Sequence, residues 1–347
     1  MKARVIIQNI GLSLLGFAFT LCVIEFLARE YAAIALKGKI VTYDNALGWK
    51  LIPNARNLYA KEEVPYQINI NSHGLRAKDY SYTKPTSTFR IVVIGDSFVF
   101  GSGGVSAGER FTEIIETYVP RLEVINMGIP GFSLDQEYLL LTQEGFKYKP
   151  DIVILCTFEN DFEESFVTFN KWIGRPKGYV SMEGNRLRFV APRISLLYVL
   201  TDRSYILGAI ENKLRIFVRP DKQAGVQLTF DEKNKVFRDI LLELSDACRR
   251  SSAELVIVNI PAKWEKTRNV IQDILAGLAR TDGIKVLDLM DLLENSNLEK
   301  SPYFERDIHL NPFGHQFVAK RLFEFLEQNT SLREHENGAG LSHAALH

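Results

Sequence analysis

Short runs rich in Val and Ile recur through the chain from Arg90 onward, and helical periodicity fills the gaps between them. The runs are Ile91-Val92-Val93-Ile94, 123–126, 151–156, 255–260 and 285–289. They are too short for core helices and show little polar alternation, as expected of strands buried on both faces. Amphipathic stretches occupy 109–119, 135–146, 231–250, 266–279 and 312–326. A chain that alternates strand and helix in this way folds into a parallel sheet with helices on both faces. Its functional loops then belong at the carboxyl ends of the strands.

Other segments lie outside that pattern. Residues 5–27 are almost wholly apolar, broken mainly by Gln8, Asn9 and Glu25. About 20 apolar residues span a bilayer as a helix, so 1–30 is predicted to be a transmembrane anchor. Lys2 and Arg4 precede it and favour a cytoplasmic N-terminus, while Arg29, Lys37 and Lys39 weigh on the other side. Two readings compete. One is a cleaved signal peptide, for which Ala33-Ile34-Ala35 supplies small residues; the run nevertheless exceeds the usual signal-peptide core of about 7–15 residues. The other is a buried soluble helix, but the run is apolar all round, unlike a surface helix.

Residues 31–89 read as a small β-rich segment. Gly48-Trp49, Ile52-Pro53-Asn54 and Asn71-Ser72-His73-Gly74 mark its turns, and Tyr66-Gln67-Ile68-Asn69-Ile70 alternates as a half-exposed strand does. The main domain is expected over 90–328. It is interrupted by an insertion at 162–227 with a hairpin signal around Glu183-Gly184-Asn185. The apolar stretch 194–218 that follows carries Asp202, Arg203, Glu211 and Lys213, which argue against a second span. The insertion is expected either to roof a site or to be a structural elaboration. The polar tail, 329–347, is expected to be disordered.

Composition narrows the function classes. With 347 residues, 46% of them hydrophobic, the chain can build one large domain plus attachments. Its 42 basic and 42 acidic residues cancel, so nothing points to nucleic acid as a partner. Cys22, Cys156 and Cys248 fit no zinc spacing and no disulfide framework.

The strongest chemical signal is Gly95-Asp96-Ser97-Phe98, directly after the first buried strand. A serine there lies where an α/β sheet places its ligands. Helical sequence is expected to resume only after the glycine-rich 101–104, so this is not the Gly-x-Ser-x-Gly elbow, and no Gly-Lys-Ser/Thr follows as in a phosphate loop. A serine needs a base to become a nucleophile, and histidine is the usual one. Of six histidines, His335, His343 and His347 fall in the polar tail and His73 in the β-rich segment. His309 precedes Asn311-Pro312, a natural helix start, and therefore sits in a loop before the last helix. His315, about one turn further on, is the other candidate. Asp307 is two residues from His309, and in extended chain i and i+2 point the same way. Its carboxylate is then placed to orient the ring. Donors for a developing oxyanion are sought at two more strand ends. Gly131 lies in Asn126-Met127-Gly128-Ile129-Pro130-Gly131-Phe132-Ser133, and Asn160 lies in Phe158-Glu159-Asn160-Asp161, where Asp161 is placed to shape the loop.

In these blocks the chain resembles the SGNH (GDSL) hydrolase superfamily. Gly95-Asp96-Ser97-Phe98 matches its first block, Gly131 its second, Asn160-Asp161 its third, and Asp307 with His309 its last. The resemblance covers about 90–325 apart from the insertion. It implies a flavodoxin-like three-layer α/β/α fold with a parallel sheet, preceded here by one transmembrane helix and the β-rich segment. It implies Ser97 as nucleophile with Asp96 in support, and an oxyanion hole made by the Ser97 N–H, the Gly131 N–H and the Asn160 side chain. It implies no metal and no organic cofactor. Two positions depart from the family pattern. Phe158 stands where the third block usually has glycine. Arg306 stands at the usual aspartate of the last block, leaving Asp307 as the nearest substitute and Glu305 as the other. Leu47-Gly48-Trp49 and Asn71-x-x-Gly74-Leu75-Arg76 are similar to bacterial members with a leading anchor.

The expected function is hydrolysis of carboxylic esters through an acyl-enzyme on Ser97, with a small-molecule, glycan or lipid ester as substrate. The expected location is the inner membrane, single-pass, with the catalytic domain on the periplasmic or extracellular side. The alternatives are an O-acyltransferase acting on an envelope polysaccharide and a non-catalytic binding module on the same fold.

Overall fold

The computed structural model describes residues 2–34, 40–56, 58–60, 63–184, 186–194, 196–204, 206–208, 210, 228–264, 269–294, 298, 300–333 and 335. Helix α1 (Lys2–Ile34) opens the chain. Within its 25-residue apolar span Arg4–Ala28 an 18-residue window reaches a mean hydropathy of 2.2, and none of that window is buried. At about 1.5 Å per residue the span extends about 37 Å, enough to cross a hydrocarbon core of about 30 Å.

The β-rich segment is two antiparallel pairs. Strand β1 (Val41–Asp44) pairs with β2 (Gly48–Leu51), and β3 (Leu58–Ala60) with β4 (Tyr66–Ile68). Tyr66, Ile68 and Ile70 are buried while Gln67 and Asn69 are exposed, the alternation read in the sequence. Trp49 is fully buried and joins the main core.

From β5 (Phe89–Gly95) strand and helix alternate. Short α2 (Ser97–Phe100) and α3 (Phe111–Glu116) lead to β6 (Leu122–Gly128), and α4 (Leu134–Gln143) leads to β7 (Ile152–Thr157). Helix α5 (Asn160–Glu164) leads into the insertion, which holds hairpins β8 (Phe169–Asn170)–β9 (Arg175–Pro176) and β10 (Tyr179–Glu183)–β11 (Arg186–Val190), and α6 (Leu196–Arg203). Asn185 at the expected hairpin tip and residues 211–227 lie outside the described residues. The chain closes with α7 (Phe230–Arg250), β12 (Glu254–Asn259), α8 (Val270–Thr281), β13 (Lys285–Asp288), α9 (Leu289–Glu294) and α10 (Pro312–Asn329).

Helix starts follow local chemistry. Thr229 and Glu232 form a capping box on α7, and Asn269 and Gln272 form another on α8. Helix α8 was expected from residue 266; residues 265–268 lie outside the described residues. Asn311 caps α10 by accepting Gly314 N–H at 2.9 Å, with Pro312 in the first turn. Leu332 is fully buried and Ser331 N–H donates to Glu254 at 2.9 Å, so the chain just beyond α10 packs on the domain. Residues 336–347 of the tail lie outside the described residues.

The five-stranded sheet has the order β13-β12-β7-β5-β6, with every neighbouring pair parallel. Alternate side chains face opposite layers. Val92, Ile94, Val153 and Leu155 pack with Leu141 of α4, Leu241 of α7 and Leu275 of α8. Ile91, Val93, Ile154 and Val256 pack with Phe111 of α3 and Leu322 of α10. This is the three-layer α/β/α fold. The winding reverses between β5 and β7, and ligands of such sheets bind beyond the strand carboxyl ends at that reversal.

Candidate active site

Ser97 stands at the end of β5, at this reversal. It is the first residue of α2, so helix begins at the serine itself and not only after the glycine-rich 101–104. Asp96 caps α2 by accepting Phe98 N–H at 2.9 Å, and Gly101, at φ 81°, ends it by donating to Ser97 O at 3.0 Å. Four residues cannot display a helical period, so only the cap and the glycine could have signalled α2. Phe98, Val99 and Phe100 are buried, whereas Ser97 remains partly exposed.

His309 reaches Ser97 from a tight hairpin before α10. Tyr303 bridges to Leu310, Phe304 N–H donates to His309 O at 3.1 Å, and Asn311 N–H donates to Pro302 O at 3.0 Å. Gly103, at φ 94°, lets this hairpin close on the serine loop: a Cβ there would lie 2.7 Å from the Phe304 ring and 3.2 Å from His309 Cβ. His309 Nε2 and Ser97 Oγ are 2.8 Å apart. On the other side, His309 Nδ1 hydrogen-bonds Asp307 Oδ1. An ionised carboxylate only accepts, so Nδ1 carries the proton and Nε2 is free to accept from the Ser97 hydroxyl. The bond from His309 holds the Asp307 carboxyl below its usual range. Glu305 is exposed; its N–H and that of Arg306 donate to the Glu63 carboxylate, so the main chain of both is tied to another segment.

Gly131 and Asn160 follow β6 and β7. Gly131 adopts φ 76°, and a Cβ there would lie 2.5 Å from Ile173. Its carbonyl accepts from Asn170 Nδ2 at 3.0 Å, so the β8–β9 hairpin of the insertion packs on this loop. Among the described residues the Ser97 and Gly131 N–H groups have no hydrogen-bond acceptor. Asn160 begins α5, partly exposed. Asp161, directly after it, is fully buried and accepts Phe158 N–H at 2.8 Å, which fixes the turn carrying Asn160. Ser97, Gly131, Asn160, Asp307 and His309 are all partly exposed, while Asp96, Phe98, Phe132, Asp161 and Leu310 beside them are buried.

His315, the other candidate base, lies in the core. Its ring stacks on Phe111, and its Nδ1 accepts Phe111 N–H at 3.2 Å. Burial, then the charges of Arg110 and Arg76, pull its pKa down to about 3. It is a neutral packing residue.

The roles of three buried charged residues could not be read from the sequence. Arg76 donates from Nη1 to Phe100 O and Gly101 O, both at 2.9 Å, satisfying carbonyls left free at the end of α2. Lys177, fully buried, donates to Ser133 Oγ at 2.6 Å and to Asp135 at 2.8 Å, tying the insertion to the Gly131 loop. Glu137, also fully buried, has no hydrogen-bond partner at either carboxylate oxygen among the described residues. Burial first, then the nearby Asp161, Asp96 and Asp135, push its pKa well up. Burial also raises Asp96 and Asp161. Among the described residues no group of three or more His, Cys, Asp or Glu is arranged to hold a metal ion.

Comparison with curated proteins returns no match. Among solved structures, the chain is similar to a member of the lipolytic protein G-D-S-L family from Veillonella parvula, at 14% identity and TM-score 0.40, covering 68% of this chain and 97% of that one. It is similar to the lipase/acylhydrolase from Enterococcus faecalis, at 13% identity and TM-score 0.42, covering 70% and 96%. It is also similar to a GDSL-like lipase from Bacteroides thetaiotaomicron, at 11% identity and TM-score 0.40, covering 71% and 92%. Residues 93–317, well over half of the chain, match the GDSL-like Lipase/Acylhydrolase family. The chain belongs to that family and is a hydrolase acting on ester bonds.

Proposed function

We propose that this protein is a membrane-anchored serine esterase that works through an acyl-enzyme on Ser97. The observation that carries this reading is the 2.8 Å contact between Ser97 Oγ and His309 Nε2, with Asp307 on the far nitrogen of the ring. His309 takes the hydroxyl proton as Ser97 Oγ attacks the acyl carbon, and Asp307 stabilises the imidazolium that forms. The Ser97 and Gly131 N–H groups and the Asn160 side chain hold the oxyanion. His309 then returns its proton to the leaving alcohol. Water, deprotonated by the same imidazole, attacks the acyl-enzyme and releases the acid. Asp96 and Asp161 act through the turns they fix.

Helix α1 is read as a retained anchor with its N-terminus in the cytoplasm, following Lys2 and Arg4. The catalytic domain is then on the outer side of the inner membrane, and the proposed substrates are acyl or acetyl esters of envelope glycans or lipids.

The test uses the full chain in detergent. A fluorophosphonate probe is expected to label wild type and not Ser97→Ala, and wild type is expected to hydrolyse p-nitrophenyl esters. No labelling and no turnover in wild type would sink the esterase reading. Adding an envelope glycan acceptor separates the alternatives: free acid as product supports hydrolysis, and acyl transfer to the glycan supports an acyltransferase.

A further inference from the structure

We infer that the 196–210 part of the insertion is a membrane-interface element that lies on lipid where α1 leaves the bilayer. This rests on the reading of α1 as a retained membrane helix. Glu25 sits three residues before the end of the apolar span Arg4–Ala28. That is about 4.5 Å along a helix, so its carboxylate lies at the edge of the hydrocarbon. A carboxylate at that depth is costly unless it finds partners. Glu25 Oε2 accepts from Ser204 Oγ at 2.9 Å and from Ile206 N–H at 3.1 Å. Ser204 Oγ in turn accepts Leu207 N–H at 3.1 Å, and Gly208 N–H donates to Ser204 O at 2.9 Å. The contact is therefore made by Ser204 and Ile206 with two bonds, one of them from the main chain. It fixes Ser204 and Ile206 at the depth of Glu25.

The residues on either side of that contact are large, aliphatic and uncovered. Leu196 is 74% exposed, Leu200 44%, Leu207 39% and Ile210 41%. Leu196 and Leu200 are four apart on α6 and share a face; Leu207 and Ile210 are three apart. Thr201 of the same helix is buried, and α6 lies against β1, so the protein already covers another side of it. The exposed leucines flank the contact with Glu25, and Ile24, Phe26 and Leu27 of α1, on either side of Glu25, are also exposed. The bilayer around α1 is the occupant this arrangement fits. The bond to Glu25 sets the height of the segment at the boundary where amphipathic helices bury their apolar face.

The experiment places a nitroxide label at single cysteines in the full chain, reconstituted in nanodiscs of phosphatidylethanolamine and phosphatidylglycerol. Cys22 is replaced by alanine; Cys156 and Cys248 are buried. The labelled variants are Leu15→Cys in mid-helix, Leu200→Cys, Leu207→Cys, and Arg249→Cys on the exposed end of α7. Ester turnover by each variant reports that it is folded. Collision with oxygen is expected to exceed collision with a water-soluble nickel complex at positions 15, 200 and 207, and the reverse at 249. Adding Glu25→Ala is expected to shift positions 200 and 207 toward water and leave 15 unchanged. Position 15 in lipid with 200 and 207 both in water overturns the interface element and leaves the anchor standing. Position 15 in water overturns both.

Discussion

The Phe158 ring lies against the Phe98 ring, with centroids 4.2 Å apart and planes inclined by 33°. Phe98 lies in turn 5.0 Å from the His309 ring. Phe158 occupies the position where the third block of SGNH hydrolases usually has glycine. Here a ring fills that space, and the imidazole is backed by two aromatic side chains in series.

Phe158→Gly therefore removes more than turn geometry. Loss of a buried phenyl ring costs about 3–5 kcal/mol of stability. It also leaves Phe98 unsupported behind His309. Well below the melting temperature, where the variant is still folded, kcat is expected to fall at least tenfold with little change in KM. Phe158→Leu, which refills most of the space, is expected to recover most of the activity. Steady-state kinetics beside thermal melting separate the two effects. Unchanged kcat in folded Phe158→Gly would mean that the ring only fills the core.

Asp307→Asn keeps the size of the side chain and removes its charge. The imidazole then loses the acceptor that keeps its proton on Nδ1. Turnover is expected to fall roughly 10²- to 10⁴-fold, with the fold intact by circular dichroism. Glu305→Gln, at an exposed side chain of the same turn, is expected to stay within a factor of two to three of wild type. A larger loss in Glu305→Gln than in Asp307→Asn would reassign the orienting carboxylate.

The loops at the carboxyl edge of the sheet that carry Ser97, Gly131 and Asn160 were legible because each follows a Val- or Ile-rich run, and a parallel sheet sends all such ends to one edge. The position of His309 was legible for a different reason. Asn311-Pro312 marks the start of α10, and what precedes that start lies at the same edge. What stayed hidden was short or long-range. Helix α2 has four residues and shows no period. Arg76 and Lys177 are both buried, and several of their partners lie 24 to 44 residues away in the chain, which no local pattern displays. The burial of His315 stayed hidden too: its ring is sealed against Phe111, and nothing local in the sequence announces that.

His315 makes a separate prediction about acid. In the fold its pKa is pulled down to about 3, from an ordinary 6.5. Between those values the unfolded chain binds a proton that the native protein refuses. Stability is therefore expected to fall as pH drops below 6.5, by up to about 1.4 kcal/mol per pH unit from this group. His315→Gln, whose amide oxygen can still accept Phe111 N–H, is expected to flatten that slope while costing turnover less than tenfold. His309→Ala is expected to cost about four to six orders of magnitude in kcat. Equal losses of kcat in folded variants at both positions would mean that the base has been misassigned.

Glu137 titrates in the opposite sense. Its carboxyl is buried without partners and faces three other carboxylates, so the native protein keeps its proton well above the ordinary 4.5. The buried Lys177 ammonium offsets part of that push. As pH rises past 4.5 the unfolded chain releases this proton while the native state retains it. Native binding then exceeds unfolded binding, and stability falls with rising pH until Glu137 ionises in the fold. Glu137→Gln carries no charge in either state and is free of this cost. Its melting temperature relative to wild type is expected to be higher at pH 8 than at pH 5. Its turnover is expected to remain close to wild type, because Glu137 touches neither Ser97 nor His309. A melting difference that is the same at both pH values would mean that Glu137 is ionised in the native protein and has found a cation or water to hold it.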